Sequence, residues 1–131
     1  MENNKISNKA KFSIIKRAKS FAHAGRGIWI FVKTTHNAWI HILIAIIACS
    51  LGLYFNITTI EWMFLIAVAG FVLCAEAFNT AIEIDMNLTS PEYHPYARDT
   101  KDVAAGAVLI ASFTAVLIGI LIFWKYIVTL F

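Results

Sequence analysis

Four stretches of distinct patterning divide the chain. Residues 1–11 are polar and are expected to fray. From Phe12 to Val32 apolar positions recur at helical steps (Ile14/Ile15, Ala18, Phe21/Ala22, Ile28/Trp29, Val32), while Lys16, Lys19, His23 and Arg26 recur on another side. A basic stripe beside an apolar one predicts an amphipathic helix lying in a membrane surface; a short arm packed on the chain's own spans would give the same pattern. Three apolar runs follow: Ala38–Phe55 with 18 residues, Ile60–Ile84 with 25 and Val103–Phe131 with 29. Each falls within or beyond the range around about 20 residues that a helix needs to cross a hydrocarbon core. The connection Asn56–Thr59 is short, which makes the first two spans an antiparallel hairpin, whereas Asp85–Asp102 is long, polar and punctuated by Pro91 and Pro95.

Composition turns these runs into membrane spans. Of 131 residues, 60% are hydrophobic and 15% charged, which predicts one domain over residues 1–131 and excludes an ordinary soluble monomer. A soluble body this small has too much surface to hide so much apolar side chain. The net charge of +3 is modest, but eight of the eleven Lys and Arg precede residue 38. Such an arm could hold nucleic acid in another setting; joined to long apolar segments it is expected to meet anionic headgroups instead. Arg98 and Lys101 lie in the second connection and the Asn56–Thr59 turn has neither Lys nor Arg, so the arm and the second connection are expected to face the cytoplasm. Cys49 and Cys74 sit inside apolar runs without a CxxC spacing and read as small membrane-buried side chains. The basic stretch is too long, and no small-residue site follows a short apolar core, for a cleavable signal peptide. The fold expected is therefore an all-α integral membrane protein: a surface helix over residues 12–32 and spans over 38–55, 60–84 and 103–131.

Candidate chemistry stands out against this scarcity of charge. Glu76, Asn79, Thr80 and Glu83 fall on one helical face at about 100° per residue. Ionisable groups inside a span are expensive and mark functional sites by default, although Glu83 could simply mark the helix end at the headgroups. A second cluster, Arg98-Asp99-Thr100-Lys101-Asp102, precedes the small residues Ala104-Ala105-Gly106-Ala107. Small residues allow close helix approach in lipid, Lys101 can neutralise phosphate, and Asp102 can hold Lys101 or help coordinate a metal; the cluster equally suits a charged helix cap. Carboxylates, an amide and a lysine at one depth are the parts needed to hold Mg²⁺ and a polyphosphate. Neither GxxxxGK[ST] nor GxGxxG occurs, and the four histidines lack the spacing of a zinc or haem site.

Three runs in this order, Ala75-Glu76-Ala77-Phe78-Asn79-Thr80-Ala81-Ile82-Glu83, Ser90-Pro91-Glu92-Tyr93-His94-Pro95 and Lys101-Asp102-Val103-Ala104-Ala105-Gly106-Ala107-Val108-Leu109, closely resemble the prokaryotic diacylglycerol kinase family. The resemblance covers roughly residues 16–126, and the wording of the second and third runs is more similar to the undecaprenol kinase branch. It implies a homotrimeric lipid kinase of the bacterial cytoplasmic membrane, with ATP and Mg²⁺ and with sites composed between protomers. It implies Glu76 as general base and Asn79 as the amide that orients the reacting groups. Glu83 would ligate Mg²⁺ and face the nucleotide, Glu92, Tyr93 and His94 would contact the nucleotide, and Lys101 and Asp102 would bind its phosphates. Lys16 and His23 of the surface helix would complete the nucleotide site. Three departures stand out: threonine at Thr35, where the family often has a glutamate that ligates metal; Asn87, where relatives commonly have aspartate; and His23, where a Tyr is common. Asp85 cannot easily replace the missing ligand, because it points about 200° from Glu83 on a regular helix. The expected activity is thus phosphorylation of a lipid alcohol. A catalytically weak or silent lipid- or nucleotide-binding protein of the same fold, and a small transporter using Glu76 and Glu83 as a cation path, are the competing expectations.

Overall fold

The computed structural model describes residues 14–130, and its regular structure is entirely helical: α1 (Ile14–Thr34), α2 (His36–Tyr54), α3 (Thr59–Thr89) and α4 (Pro95–Val128). The expected tail over 1–11, the first two residues of the expected surface helix and Phe131 lie outside the described residues. The last three helices are long and apolar enough to cross a membrane.

Both polar ends of the long spans are more helical than their composition predicts. The connection expected over Asp85–Asp102 shrinks to the five residues Ser90–His94, because α3 runs on past Ile84 to Thr89 and α4 already begins at Pro95. Nothing in Asp85–Thr89 breaks a helix once it has left the hydrocarbon; Pro91 does, by pushing Ser90 out of the helical region. Ser90 accordingly has φ −135° and ψ 68°. Pro95 sits at the first helical position of α4, where its missing N–H costs nothing. At the other end of the chain's first turn, a single extended residue, Thr35 (φ −106°, ψ 107°), separates α1 from α2.

The α2–α3 hairpin is closed by local chemistry. Asn56 adopts φ 49°, the left-handed conformation that Asn tolerates better than most residues. Asn56 N–H then donates to Leu53 O at 3.3 Å and Ile57 N–H to Gly52 O at 3.1 Å, the paired bonds that end a helix at a left-handed residue. Ile57 folds back over Gly52, where an added Cβ would stand 3.0 Å from Ile57 Cδ1 and from the Trp62 ring. Thr58 and Glu61 cap α3 reciprocally: Glu61 N–H donates to Thr58 Oγ1 at 3.4 Å and Thr58 N–H to Glu61 Oε2 at 2.8 Å.

Helix α3 is the spine: α1, α2 and α4 all touch it. At its hairpin end Leu65 packs with Ile57, Ile122 and Phe123, flanked by Phe55, Trp62 and Tyr126. Glu61 also pairs with Lys125 of α4 at 2.7 Å and accepts from Tyr126 Oη at 2.8 Å. The apolar-run reading passed over Glu61, although the Thr58-x-x-Glu61 spacing signals its part in the cap of α3. Farther along α4, Ala111 is fully buried, so its size limits how closely the helices approach. Ala111→Leu should overpack this contact and cost about 1–3 kcal/mol of stability. The exposed Ala107→Leu, one turn away, should be near neutral; thermal unfolding in detergent distinguishes them.

Candidate functional site

The polar stripe of α3 lies at the end away from the hairpin. Glu76 is 1% exposed, and Asn79 and Thr80 are each 7% exposed, while Glu83 reaches the surface. One face thus passes from sealed to open within two helical turns. Asn79 Nδ2 donates to Glu83 Oε1 at 3.2 Å. That bond fixes the amide and leaves Asn79 Oδ1 buried; among the described residues it has no partner, and neither do the two buried carboxylate oxygens of Glu76. Buried carboxylates are ordinarily paired, because desolvating one costs several kcal/mol.

The bend between α1 and α2 closes over this face. Thr80 Oγ1 donates to Glu76 O at 2.9 Å, and the Thr35 and Thr80 hydroxyls lie 2.8 Å apart. Thr80 has one proton and gives it to the carbonyl, so Thr35 is the donor to Thr80. Thr35 therefore ties the bend to the polar stripe as a hydrogen-bond donor, where a glutamate would have brought a charge. A cavity of about 330 Å³ results, lined by Thr34–Asn37 from the bend and by Glu76, Asn79, Thr80, Glu83, Ile84 and Asn87 from α3.

The second predicted cluster lines a neighbouring cavity of about 430 Å³. Its walls are Met86, Asn87, Ser90–His94, Ala97, Arg98, Lys101 and Asp102. The five-residue connection thus supplies Glu92, Tyr93 and His94 to the same space as Lys101 and Asp102. Asn87 lines both cavities, and its Oδ1 accepts from Lys101 Nζ at 3.1 Å. Asp102 pairs with Arg98, one turn earlier, at 3.5 Å rather than with Lys101. The reason is directional: residues four apart share a helix face, and adjacent ones do not. Both members of that pair are two-thirds exposed, so it holds little energy and leaves the Lys101 charge uncancelled.

The candidate residues are therefore brought together as two groups that meet at Asn87. Lys16 and His23 stand on exposed turns of α1 and line neither cavity. Among the described residues no three His, Cys, Asp or Glu side chains converge as a metal cluster. The oxygens that do face inward, from Glu76, Glu83 and Asn79, are hard donors of the kind Mg²⁺ takes; their number leaves most of a shell to water or phosphate. Asn87 and Thr35 are the two residues whose structural part sequence reasoning missed. Both were noted there only as departures from a family pattern.

The sequence profile described as "Prokaryotic diacylglycerol kinase" matches residues 22–123, a span that includes α2, the polar stripe of α3 and both cavities. The chain belongs to the prokaryotic diacylglycerol kinase family. This is a family of lipid kinases, and its named relatives agree. An undecaprenol kinase of Bacillus subtilis (strain 168) is 40% identical over 105 residues, covering 80% of this chain and 85% of the relative. A diacylglycerol kinase of Synechocystis sp. is 33% identical over 101 residues, covering 76% of this chain and 58% of the relative. A diacylglycerol kinase of Escherichia coli (strain K12) is 29% identical over 122 residues, covering 92% of this chain and 97% of the relative. In this chain a carboxylate–amide–carboxylate face lies on a membrane-length helix and is closed over by a threonine.

The Thr35–Thr80 bond is separable from ordinary helix chemistry. Thr35→Val should lower stability by about 0.5–1.5 kcal/mol, the usual net worth of one such bond. Thr34→Val should not, since the Thr34 hydroxyl bonds only Ile30 O of its own helix. Detergent unfolding curves of the two variants provide the comparison.

Proposed function

We propose that this chain transfers the γ-phosphoryl group of ATP to the hydroxyl of a membrane lipid, with undecaprenol preferred over diacylglycerol. The observation that carries the reading is Glu76: a carboxylate sealed on a membrane-length helix, with neither oxygen partnered among the described residues, and the Asn79 amide oxygen in the same condition. A lipid hydroxyl is the donor that such a group lacks and that the bilayer can deliver. The preference for undecaprenol is supported by the 40% identity to a relative of that name.

In this reading Glu76 accepts the hydroxyl proton as the lipid oxygen attacks the γ-phosphorus, and ADP departs with the electrons of the broken P–O bond. Asn79, held by Glu83, orients the reacting oxygen. Lys101, Asp102, Glu92, Tyr93 and His94 receive the nucleotide in the adjacent cavity, while Lys16 and His23 of α1, which line neither cavity, are assigned to the nucleotide by the family resemblance alone. Phosphoryl transfer needs little covalent help from a protein, so positioning and charge neutralisation supply most of the acceleration. Mg²⁺ supplies charge neutralisation when it accompanies ATP, and Glu83 is the carboxylate placed to ligate it.

The rest of the assembly follows the same proposal. Helix α1 is amphipathic and lies in the membrane surface, its Lys16, Lys19 and Arg26 toward headgroups. The N-terminus and the Ser90–His94 connection face the cytoplasm of a bacterial inner membrane, where ATP is. Three copies associate, and partner side chains complete the open Glu83 edge. A weaker enzyme of the same fold is a second reading, favoured by Thr35: it offers Mg²⁺ a neutral oxygen already engaged with Thr80.

Transfer of radioactive phosphate from ATP to undecaprenol or diacylglycerol in mixed micelles tests the reading. Wild-type protein should label one of them, and Glu76→Gln should lose about 100-fold or more in kcat, the scale of a lost general base. Undiminished transfer by Glu76→Gln removes the base assignment, and no transfer to any lipid alcohol from folded protein removes the kinase reading. Thr35→Glu should lower the Mg²⁺ concentration needed for half-maximal rate; a large gain from near-zero turnover would mark the weak-enzyme reading as correct.

A further inference from the structure

Two threonines stand at the N-cap of a membrane-length helix and use their hydroxyls differently. Thr58 caps α3, accepting from Glu61 N–H. Thr35 makes no cap bond to α2; its hydroxyl is turned to Thr80 instead. A helix cannot satisfy its first N–H groups internally, and together they carry about half a positive charge. The 19-residue α2 therefore presents N–H groups without a side-chain cap on His36 and Asn37, two exposed residues that help to line the polar cavity.

The α3 wall of that cavity has the opposite polarity and points to what is bound. Glu76 and Asn79 line it at 1% and 7% exposure, and both Glu76 carboxylate oxygens and Asn79 Oδ1 have no partner among the described residues. Two hydrogen bonds in series, Thr35 to Thr80 at 2.8 Å and Thr80 to Glu76 O at 2.9 Å, tie the two walls together at this level. A ligand that suits both walls carries anionic oxygens for the N–H groups and an O–H for the carboxylate. An alcohol meeting a phosphoryl group is such a pair, and hydrogen phosphate carries both on one small ion. Asn87 joins this cavity to the one lined by Lys101, accepting from its Nζ at 3.1 Å. A polyphosphate that passes Lys101 therefore has its terminal phosphate on the α2 side of Asn87.

We propose that the uncapped N-terminus of α2 holds the oxygens of the transferred phosphoryl group through the His36 and Asn37 N–H groups, across the cavity from Glu76. The identity of the anion rests on the lipid-kinase reading. Free N–H groups and the helix dipole together make a helix N-terminus a phosphate binder. Thr35 is a positioning residue: by bonding Thr80 it leaves these donors open and sets them against the Glu76 turn. A carboxylate at position 35 would do the reverse, since an acidic N-cap side chain accepts from first-turn N–H groups itself.

Backbone amide NMR spectra of the isotope-labelled full chain in detergent, with Mg²⁺ in every sample, read these N–H groups directly. The His36 and Asn37 amide protons should move downfield with inorganic phosphate, with the non-hydrolysable β,γ-imido analogue of ATP and with dodecyl phosphate. ADP, which lacks the transferred group, should leave them in place. His36→Pro removes one N–H at the first helical position, where proline is accepted and where Thr35 before it is already extended (φ −106°, ψ 107°). It should weaken phosphate binding about tenfold, the scale of one charge-assisted bond, while His36→Ala, which keeps the N–H, changes it less than about threefold. Thr35→Asp should abolish the response by capping the donors itself. Amides indifferent to phosphate, moved equally by ADP, or moved by the dodecyl ester alone overturn the proposal, the last by marking a lipid headgroup site. Undiminished responses in folded His36→Pro and Thr35→Asp overturn it as well. If the α2 amides respond as expected yet no lipid alcohol is labelled, the anion site stands and the lipid-kinase reading falls; lipid labelling by a chain whose α2 amides stay in place does the opposite.

Discussion

An unpartnered carboxylate sealed inside a membrane-length helix is the constraint around which this protein is arranged. Among the described residues Glu76 has no hydrogen-bond partner for either oxygen, yet the helix that carries it is the one every other helix packs against. Burying such a group costs several kcal/mol, and the cost is tolerable only because the surrounding scaffold is settled by contacts elsewhere. The hairpin end of α3, with Leu65 against Ile122 and Phe123, supplies those contacts.

Two glutamates on the same helix make the division of labour visible. Glu61 is held by Lys125, Tyr126 and Thr58 at 2.7–2.8 Å, so its charge is spent on closing the hairpin end. Glu76 lies about four turns away and receives none of this, although Asn79 stands one turn from it. Asn79 donates to Glu83 instead, and its own Oδ1, like the Glu76 oxygens, is buried without a partner among the described residues. In the proposed reading the missing donor is the lipid hydroxyl. Lys101, parked on the neutral Asn87 rather than on an acid, extends the same logic to the neighbouring cavity: its positive charge is positioned but not neutralised.

Much of this was legible in the sequence, and the reasons differ by feature. The three spans follow from apolar length, and the polar stripe from helical spacing at positions 76, 79, 80 and 83, because both signals are periodic and local. Helix ends at the polar side were not legible from hydropathy: Asp85–Thr89 and Pro95–Asp102 are polar but contain nothing that stops a helix, so the expected long connection became five residues. The Lys101–Asp102 pairing expected from adjacency gave way to Arg98–Asp102, since a helix separates neighbours and joins residues four apart. The Thr35–Thr80 tie spans 45 positions and could not be read from spacing at all. The family resemblance marked Thr35 as unusual without saying what it holds.

The central claim is that Glu76 is completed by the hydroxyl of a lipid. Infrared difference spectra of wild type against Glu76→Gln, with isotope-labelled glutamate, isolate the Glu76 carboxyl bands before and after a long-chain alcohol is added in detergent. The bands should shift with the alcohol and stay in place with its methyl ether, which has the same tail but no proton to donate. Bands indifferent to the alcohol, or shifted equally by the ether, would contradict the account.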